Sequence, residues 1–168
     1  MIGNPPILSE LVFLPYLNGE RTPIWDSRAT GAFLGLTLRH TRNDVIRAVL
    51  ESVCFSVRSI LELTEKLGGK VSLLRIAGGA ASSLAWMQLL ANATNRHIVI
   101  PRESEATLLG GAMLAAVGSG LFTSVDKAIE LQGVKKHLYP NVASARKYEK
   151  LYEAFVNASP FYLRRHGR

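Results

Sequence analysis

The run Leu73-Leu74-Arg75-Ile76-Ala77-Gly78-Gly79-Ala80-Ala81-Ser82-Ser83 limits what this chain can fold into more than any other stretch. An apolar strand pattern enters two adjacent glycines and small residues, and a helix is predicted to begin at once, over 83–95. Without Cβ atoms at Gly78 and Gly79, a planar ring or a phosphate can come close to the backbone. The free N–H groups opening the next helix then face whatever binds there. A similar passage follows: a strand over 97–100, a break at Pro101, then Glu105-Ala106-Thr107-Leu108-Leu109-Gly110-Gly111-Ala112. Two strand–turn–helix units with glycine at the critical points suggest a nucleotide site. A Gly-Gly pair is also plain turn geometry, so the pattern alone does not establish one.

The rest of the chain supplies the frame. Residues 1 to 10, with Pro5-Pro6, read as an irregular lead-in. Leu11–Leu17 reads as a short edge strand or extended loop broken by Pro15, and residues 18–28 as turn and loop. Gly31–Leu38 reads as a strand. A long amphipathic helix follows, capped by Thr41 or Asn43 with Asp44 in its first turn and closed by Gly68-Gly69. Its expected inward stripe is Ile46, Val49, Leu50, Val53, Val57, Ile60, Leu61 and Leu67, with Arg47, Glu51, Arg58, Glu62 and Glu65 outward. A strand over 71–77 and helices over 105–118, 124–132 and 143–158 complete the reading, with Ser124 as a cap and a loop through Pro140. Helix 105–118, rich in Gly and Ala on every face, is expected to pack tightly against its neighbours. The alternation predicts an α/β fold with a mostly parallel sheet, right-handed crossovers and flanking helices.

Bulk properties narrow the classes. The 168 residues are one domain's length and bury a real core. No run of 18 or more apolar residues exists, so no membrane span or membrane partner is expected. No export signal is visible at the start, and the single cysteine, Cys54, excludes an internal disulfide and reads as a buried thiol. A cytoplasmic location is expected. The net charge of +7 is concentrated late, where Lys135, Lys136, Arg146, Lys147, Lys150, Arg164, Arg165 and Arg168 stand among aromatics. That mixture suits nucleic acid, but Tyr148, Leu151, Tyr152, Phe155 and Val156 recur at helical spacing as one buried face. The charges are then its solvated side, and no nucleic-acid partner is expected. His40, His97, His137 and His166 are scattered without metal-ligand spacing, so no metal ligand is assigned.

Gly31-Ala32-Phe33-Leu34-Gly35-Leu36, followed after seven residues by Asp44-Val45-Ile46-Arg47-Ala48-Val49-Leu50-Glu51, resembles the second signature of the FGGY carbohydrate kinases. Phe13 to Pro23 looks like the xylulokinase and gluconokinase version of that family. Gly78-Gly79-Ala80 is similar to its adenosine motif, and Glu105-Ala106-Thr107 with Gly110-Gly111-Ala112 to its last glycine-bearing helix. The resemblance runs from about Leu11 to the final aromatic helix.

It implies a ribonuclease H-like, actin-like ATPase fold, of which residues 1–168 are the C-terminal part of the second, nucleotide-binding domain. The N-terminal domain, with its phosphate loop, most sugar contacts and general base, is then the missing partner. It also implies transfer of the γ-phosphoryl of Mg-ATP to a sugar hydroxyl. Xylulose comes first, gluconate or another sugar second. A non-catalytic oligomerisation or regulatory module is the reading from another class.

No residue here is expected to be catalytic, since Asp26, Asp44 and Asp126 all have sufficient structural roles as turn formers or dipole partners. The implied cofactors are ATP and Mg2+, with Gly78, Gly79 and Ala80 along the adenine or ribose and Ser82 or Ser83 offering a hydroxyl or N–H. Helix capping is the competing role for both serines. Arg21 is expected either to reach phosphate or to pair with Glu20 or Asp26, loop support being favoured. Trp25 and Trp86 are expected to pack. A partial domain exposes a sheet edge and a cleft face, so a homo-oligomer is possible.

Overall fold

In the computed structural model the described residues are 11–130 and 132–166, those from 160 onward as backbone only. The lead-in expected over residues 1 to 10 lies outside them. The elements are β1 (Val12–Leu14), β2 (Ala32–Leu34), α1 (Arg42–Lys66), β3 (Leu73–Arg75), α2 (Leu84–Thr94), β4 (His97–Pro101), α3 (Ala106–Gly118), α4 (Val125–Glu130), β5 (Val134–Leu138) and α5 (Val142–His166). The α/β alternation stands, but the mostly parallel sheet does not. β1 and β2 form an antiparallel ribbon, and the second sheet, ordered β3-β4-β5, pairs β3 with β4 in parallel and β4 with β5 antiparallel.

The unforeseen strand is β5, in the stretch read as loop before Pro140. Val134-Lys135-Lys136-His137-Leu138 shows no apolar alternation, because an edge strand with its side chains mostly in water needs none. Its partner specifies it: Ile98 faces Leu138 and Val99 faces His137.

α1 shows how local chemistry sets a boundary. Thr41 Oγ1 accepts the Asp44 N–H at 3.4 Å, and the Asp44 carboxylate accepts the Thr41 N–H at 2.7 Å, a reciprocal capping box. At the far end of α2, Asn95 takes a left-handed φ of 51° and stops the helix. The core gathers β1, the middle of α1, α2, β4 and the aromatic face of α5. Phe55 meets Tyr152 and Phe155 at ring-centroid distances of 5.8 and 5.6 Å. Ile98, Ile100 and Leu138 point the sheet's inner face into it.

The expected rotation of α1 is only partly right. Cys54, Phe55 and Leu61 are buried, but so are Ala48, Glu51 and Ser52, whereas Ile46, Val53, Ile60 and Leu67 are exposed. Charge pairing moves the buried face: Arg47 Nε donates to Glu51 at 2.7 Å, and Arg58 bonds Glu62 and Glu149 while lying 4.0 Å over the Tyr152 ring. On α5, Tyr148, Leu151, Tyr152 and Phe155 are buried as expected; Val156 is 41% exposed. α3 is the larger departure. Its main contact among the described elements is α4, and it buries no residue, leaving Leu108 and Leu114 in solvent. The expected tight packing is not found among the described residues.

Candidate nucleotide-binding wall

β3 runs parallel to β4, and the link continues past the strand where the Ile76 N–H donates to the Val99 carbonyl at 3.0 Å. Both strands therefore end at the same side. The chain leaves β3 into Gly78, whose φ of +84° lies in the region that favours glycine. The Gly78 N–H donates to the Ser104 carbonyl at 3.0 Å, binding the glycine turn to the segment that follows β4. The two glycine-bearing units foreseen in the sequence are thus neighbours at one end of a parallel strand pair. That is where open α/β sheets place ligands.

The helix does not begin at once. A single 3-10 turn over Gly79–Ser82 intervenes, closed by the Ala81 N–H on the Gly78 carbonyl at 3.1 Å. α2 starts only at Leu84. Ser83 is its N-cap and accepts the Trp86 N–H at 3.4 Å, while Ser82 Oγ donates to the Gly79 carbonyl at 2.7 Å. Ser83 takes the capping role that competed with ligand contact, whereas Ser82 caps no helix and instead bonds back across the 3-10 turn. The small residues divide in two: Ala81 is buried, Ala80 packs against the core, and Gly79 is exposed.

A Cβ on Gly78 or Gly79 would meet nothing within 4 Å. Positive φ accounts for glycine at position 78. At 79 neither φ nor a neighbour within the described residues accounts for it. The space beside Gly78 and Gly79 is open, which leaves room for a planar group to approach the backbone there. Gly110 and Gly111 on α3 likewise have empty space where a Cβ would stand.

The three aspartates weighed in the sequence have structural places of their own. Asp44 is held by its cap, Asp26 accepts the Arg28 N–H at 2.9 Å, and Asp126 sits in the first turn of α4. Among the described residues no group of three or more His, Cys, Asp or Glu is placed to hold a metal ion, so no residue here is assigned to the magnesium of a nucleotide. Cys54 is buried, its Sγ donating to the Leu50 carbonyl at 3.3 Å, and burial pushes its thiol up to about 12. It is no nucleophile at neutral pH.

Several sequence assignments change in the fold. Asp26 pairs with Arg28, and among the described residues the Arg21 guanidinium has no partner, so the favoured support role fails for its side chain. Trp25 does not pack: it is 74% exposed at φ 55°. Trp86 does, with its indole Nε1 donating to the Leu50 carbonyl at 3.2 Å. His97 and His137, judged scattered, meet across β4 and β5 with Nε2 and Nδ1 3.0 Å apart. Recognising β5 would have revealed that pair, since only the antiparallel register brings the two histidines together.

The chain is similar to known proteins in both sequence and fold. Residues 5–119 match the C-terminal domain of the FGGY family of carbohydrate kinases. A gluconokinase of Bacillus licheniformis is 36% identical over 150 residues, covering 89% of this chain and 29% of that protein. A xylulose kinase of Bacillus subtilis is 34% identical over 149 residues, covering 88% and 30%. Among solved structures, the ligand-bound xylulose kinase of Lactobacillus acidophilus superposes with a TM-score of 0.85 at 32% identity, covering 94% of this chain and 32% of that one. The glycerol kinase of Plasmodium falciparum, solved with ADP, superposes with a TM-score of 0.77 at 26% identity, covering 91% and 31%. The chain thus spans about a third or less of the relatives it matches. No described helix is long and apolar enough to cross a membrane. By residues matched, identity and fold, the chain belongs to the FGGY family of carbohydrate kinases, within its C-terminal domain.

Proposed function

We propose that this chain is the nucleotide-holding part of an ATP-dependent sugar kinase, with Gly78, Gly79, Ala80, Ser82 and Ser83 as the wall along which adenosine lies. Exposed Gly79 carries the reading. Its φ is ordinary, no neighbour crowds it, and it sits at the strand ends beside Gly78. A glycine without an internal reason suits close approach by something outside the chain. The relative solved with ADP supports a nucleotide as that visitor.

Phosphoryl transfer requires positioning and charge neutralisation, supplied by a base near the acceptor hydroxyl, donors along the phosphates and a bridging metal. ATP with Mg2+ would supply the transferable phosphoryl and the bridging charge. The residues here contribute a different part: they orient the adenosine and hold the turn rigid through the Gly78–Ser104 hydrogen bond. The base, the sugar contacts and the phosphate loop belong, on this reading, to an N-terminal domain that completes the cleft.

Sequence similarity divides among gluconokinase, xylulose kinase and glycerol kinase, at 36%, 34% and 36% identity. The Phe13–Pro23 segment, which resembles the xylulokinase and gluconokinase version of the family, favours the first two. We take xylulose as the acceptor and gluconate as its alternative; the L. acidophilus xylulose kinase superposes with a TM-score of 0.85 and the gluconate kinase of the same organism with 0.81.

The test is phosphoryl transfer from ATP by the gene product that carries this chain, assayed against D-xylulose, D-gluconate and glycerol. The expected result is turnover of xylulose above the other two, and none by residues 1–168 alone. Turnover of no sugar by the complete product would contradict the kinase reading. Preference for gluconate would leave the kinase and overturn only the sugar.

A further inference from the structure

The sheet formed by β3, β4 and β5 has two unlike faces. Ile98, Ile100 and Leu138 project into the core. The opposite face carries His97 and Val99 on β4 with His137 on β5, and Tyr139 just beyond that strand. The register Val99↔His137 sets His97 diagonally from His137, on the same face. The Tyr139 ring lies flat on His97, centroids 4.3 Å apart and planes 9° from parallel, so one imidazole is held in orientation before anything binds. His137 is exposed and His97 half-buried. Their rings are within 20° of parallel, and His97 Nε2 stands 3.0 Å from His137 Nδ1.

We propose that His97 and His137 form a two-histidine site for a borderline divalent cation, of which Zn2+ is the representative. Two imidazole nitrogens bound to one zinc at about 2.0–2.1 Å in tetrahedral geometry stand roughly 3.3 Å apart. The observed pair therefore needs to open by about 0.3 Å, and both rings must turn so that their lone pairs converge on the ion instead of on each other. Coordination replaces the shared hydrogen bond, and both bound nitrogens are then unprotonated, so binding releases any proton held there. Water completes the shell, because no third His, Cys, Asp or Glu joins the pair among the described residues.

Nitrogen ligands select zinc, nickel or copper over magnesium and calcium, which take oxygen. This site is thus chemically separate from the magnesium that accompanies a nucleotide. Its physical consequence is local: the ion staples β5, an edge strand held by β4, to its partner.

The test is isothermal titration of the 168-residue chain with zinc chloride at pH 7.5, with and without millimolar magnesium. One equivalent is expected to bind, and magnesium should not compete. His137→Ala, a change at an exposed position, should weaken that binding at least about tenfold, whereas His40→Ala should leave it unchanged. Hydrogen exchange should also slow at β5 amides when zinc is added. If His97→Ala fails to fold, His137→Ala still decides the matter. Absence of saturable zinc binding, or affinity equal to the parent in His137→Ala, would overturn the proposal.

Discussion

Gly79 and Gly78 are adjacent yet make different demands. At Gly78 any side chain is strained by the +84° backbone, so Gly78→Ala should destabilise the fold by about 1 kcal/mol. At Gly79 a side chain meets nothing, and Gly79→Val should leave the melting temperature within about 2 °C of the parent. In a complete kinase carrying this segment, the same change should raise the KM for ATP at least about tenfold and leave the sugar KM unchanged. Equal effects on both would count against the placement.

Tyr16 offers a second residue-level check. Burial pushes its hydroxyl up to about 12, against a smaller opposing effect of its 2.7 Å hydrogen bond with Ser159. A raised folded-state value means the contribution is whole below the ordinary tyrosine value of 10.0 and is lost as pH rises toward about 12. Alkaline unfolding should therefore shift to higher pH in Tyr16→Phe. An unmoved alkaline limb would show that Tyr16 does not control it.

At the level of elements, α1 was legible because its signals are local. Thr41 and Asp44 lie three residues apart and mark the start without reference to the rest of the fold. Hydrogen bonds from the Thr41 backbone and side chain hold the Asp44 carboxyl below its ordinary value. Its stabilising effect is complete above the unfolded-state value and is lost as pH falls through the lowered one. Thr41→Ala should cost about 1 kcal/mol at neutral pH, with a smaller difference from the parent in acid, measured by urea denaturation.

The rotation of α1 was less legible, because Glu51 is buried and Arg58 is largely covered by partners on α5, Glu149 and the Tyr152 ring. Pairing across the fold leaves no trace in helical periodicity, unlike the i,i+4 pairs Arg47–Glu51 and Arg58–Glu62. Arg58→Ala removes the joint between α1 and α5 and should cost about 2 kcal/mol or more. β5 was illegible for a related reason: its identity comes from pairing with β4. The glycine wall was half legible. Its location followed from the motif, but the 3-10 turn and the Ser82 and Ser83 hydrogen bonds depended on how tightly the chain turns after Gly78.

For the molecule as a whole, the chief fact is how much apolar surface stays uncovered. Leu108 and Leu114 on α3 are 71% and 64% exposed, and α1 shows Ile46, Val53, Ile60 and Leu67 at seven-residue intervals. A helix apolar on every side normally lies inside a protein, and β3 pairs with β4 only, leaving its other side an open edge among the described residues. These surfaces suit cover by the larger part of the kinase on the proposed reading. Alone, the chain should self-associate with concentration in sedimentation velocity, and Leu108→Lys with Leu114→Lys should reduce it. A single monomeric species across the concentration range would contradict this.

The most direct measurement is residue-resolved amide chemical-shift mapping of the chain during titration with ADP. Shifts should converge on Gly78 through Ser83 and disappear in Gly79→Val. Undisturbed amides there at millimolar nucleotide, or shifts confined to another surface, would show that the paired glycines do not receive adenosine.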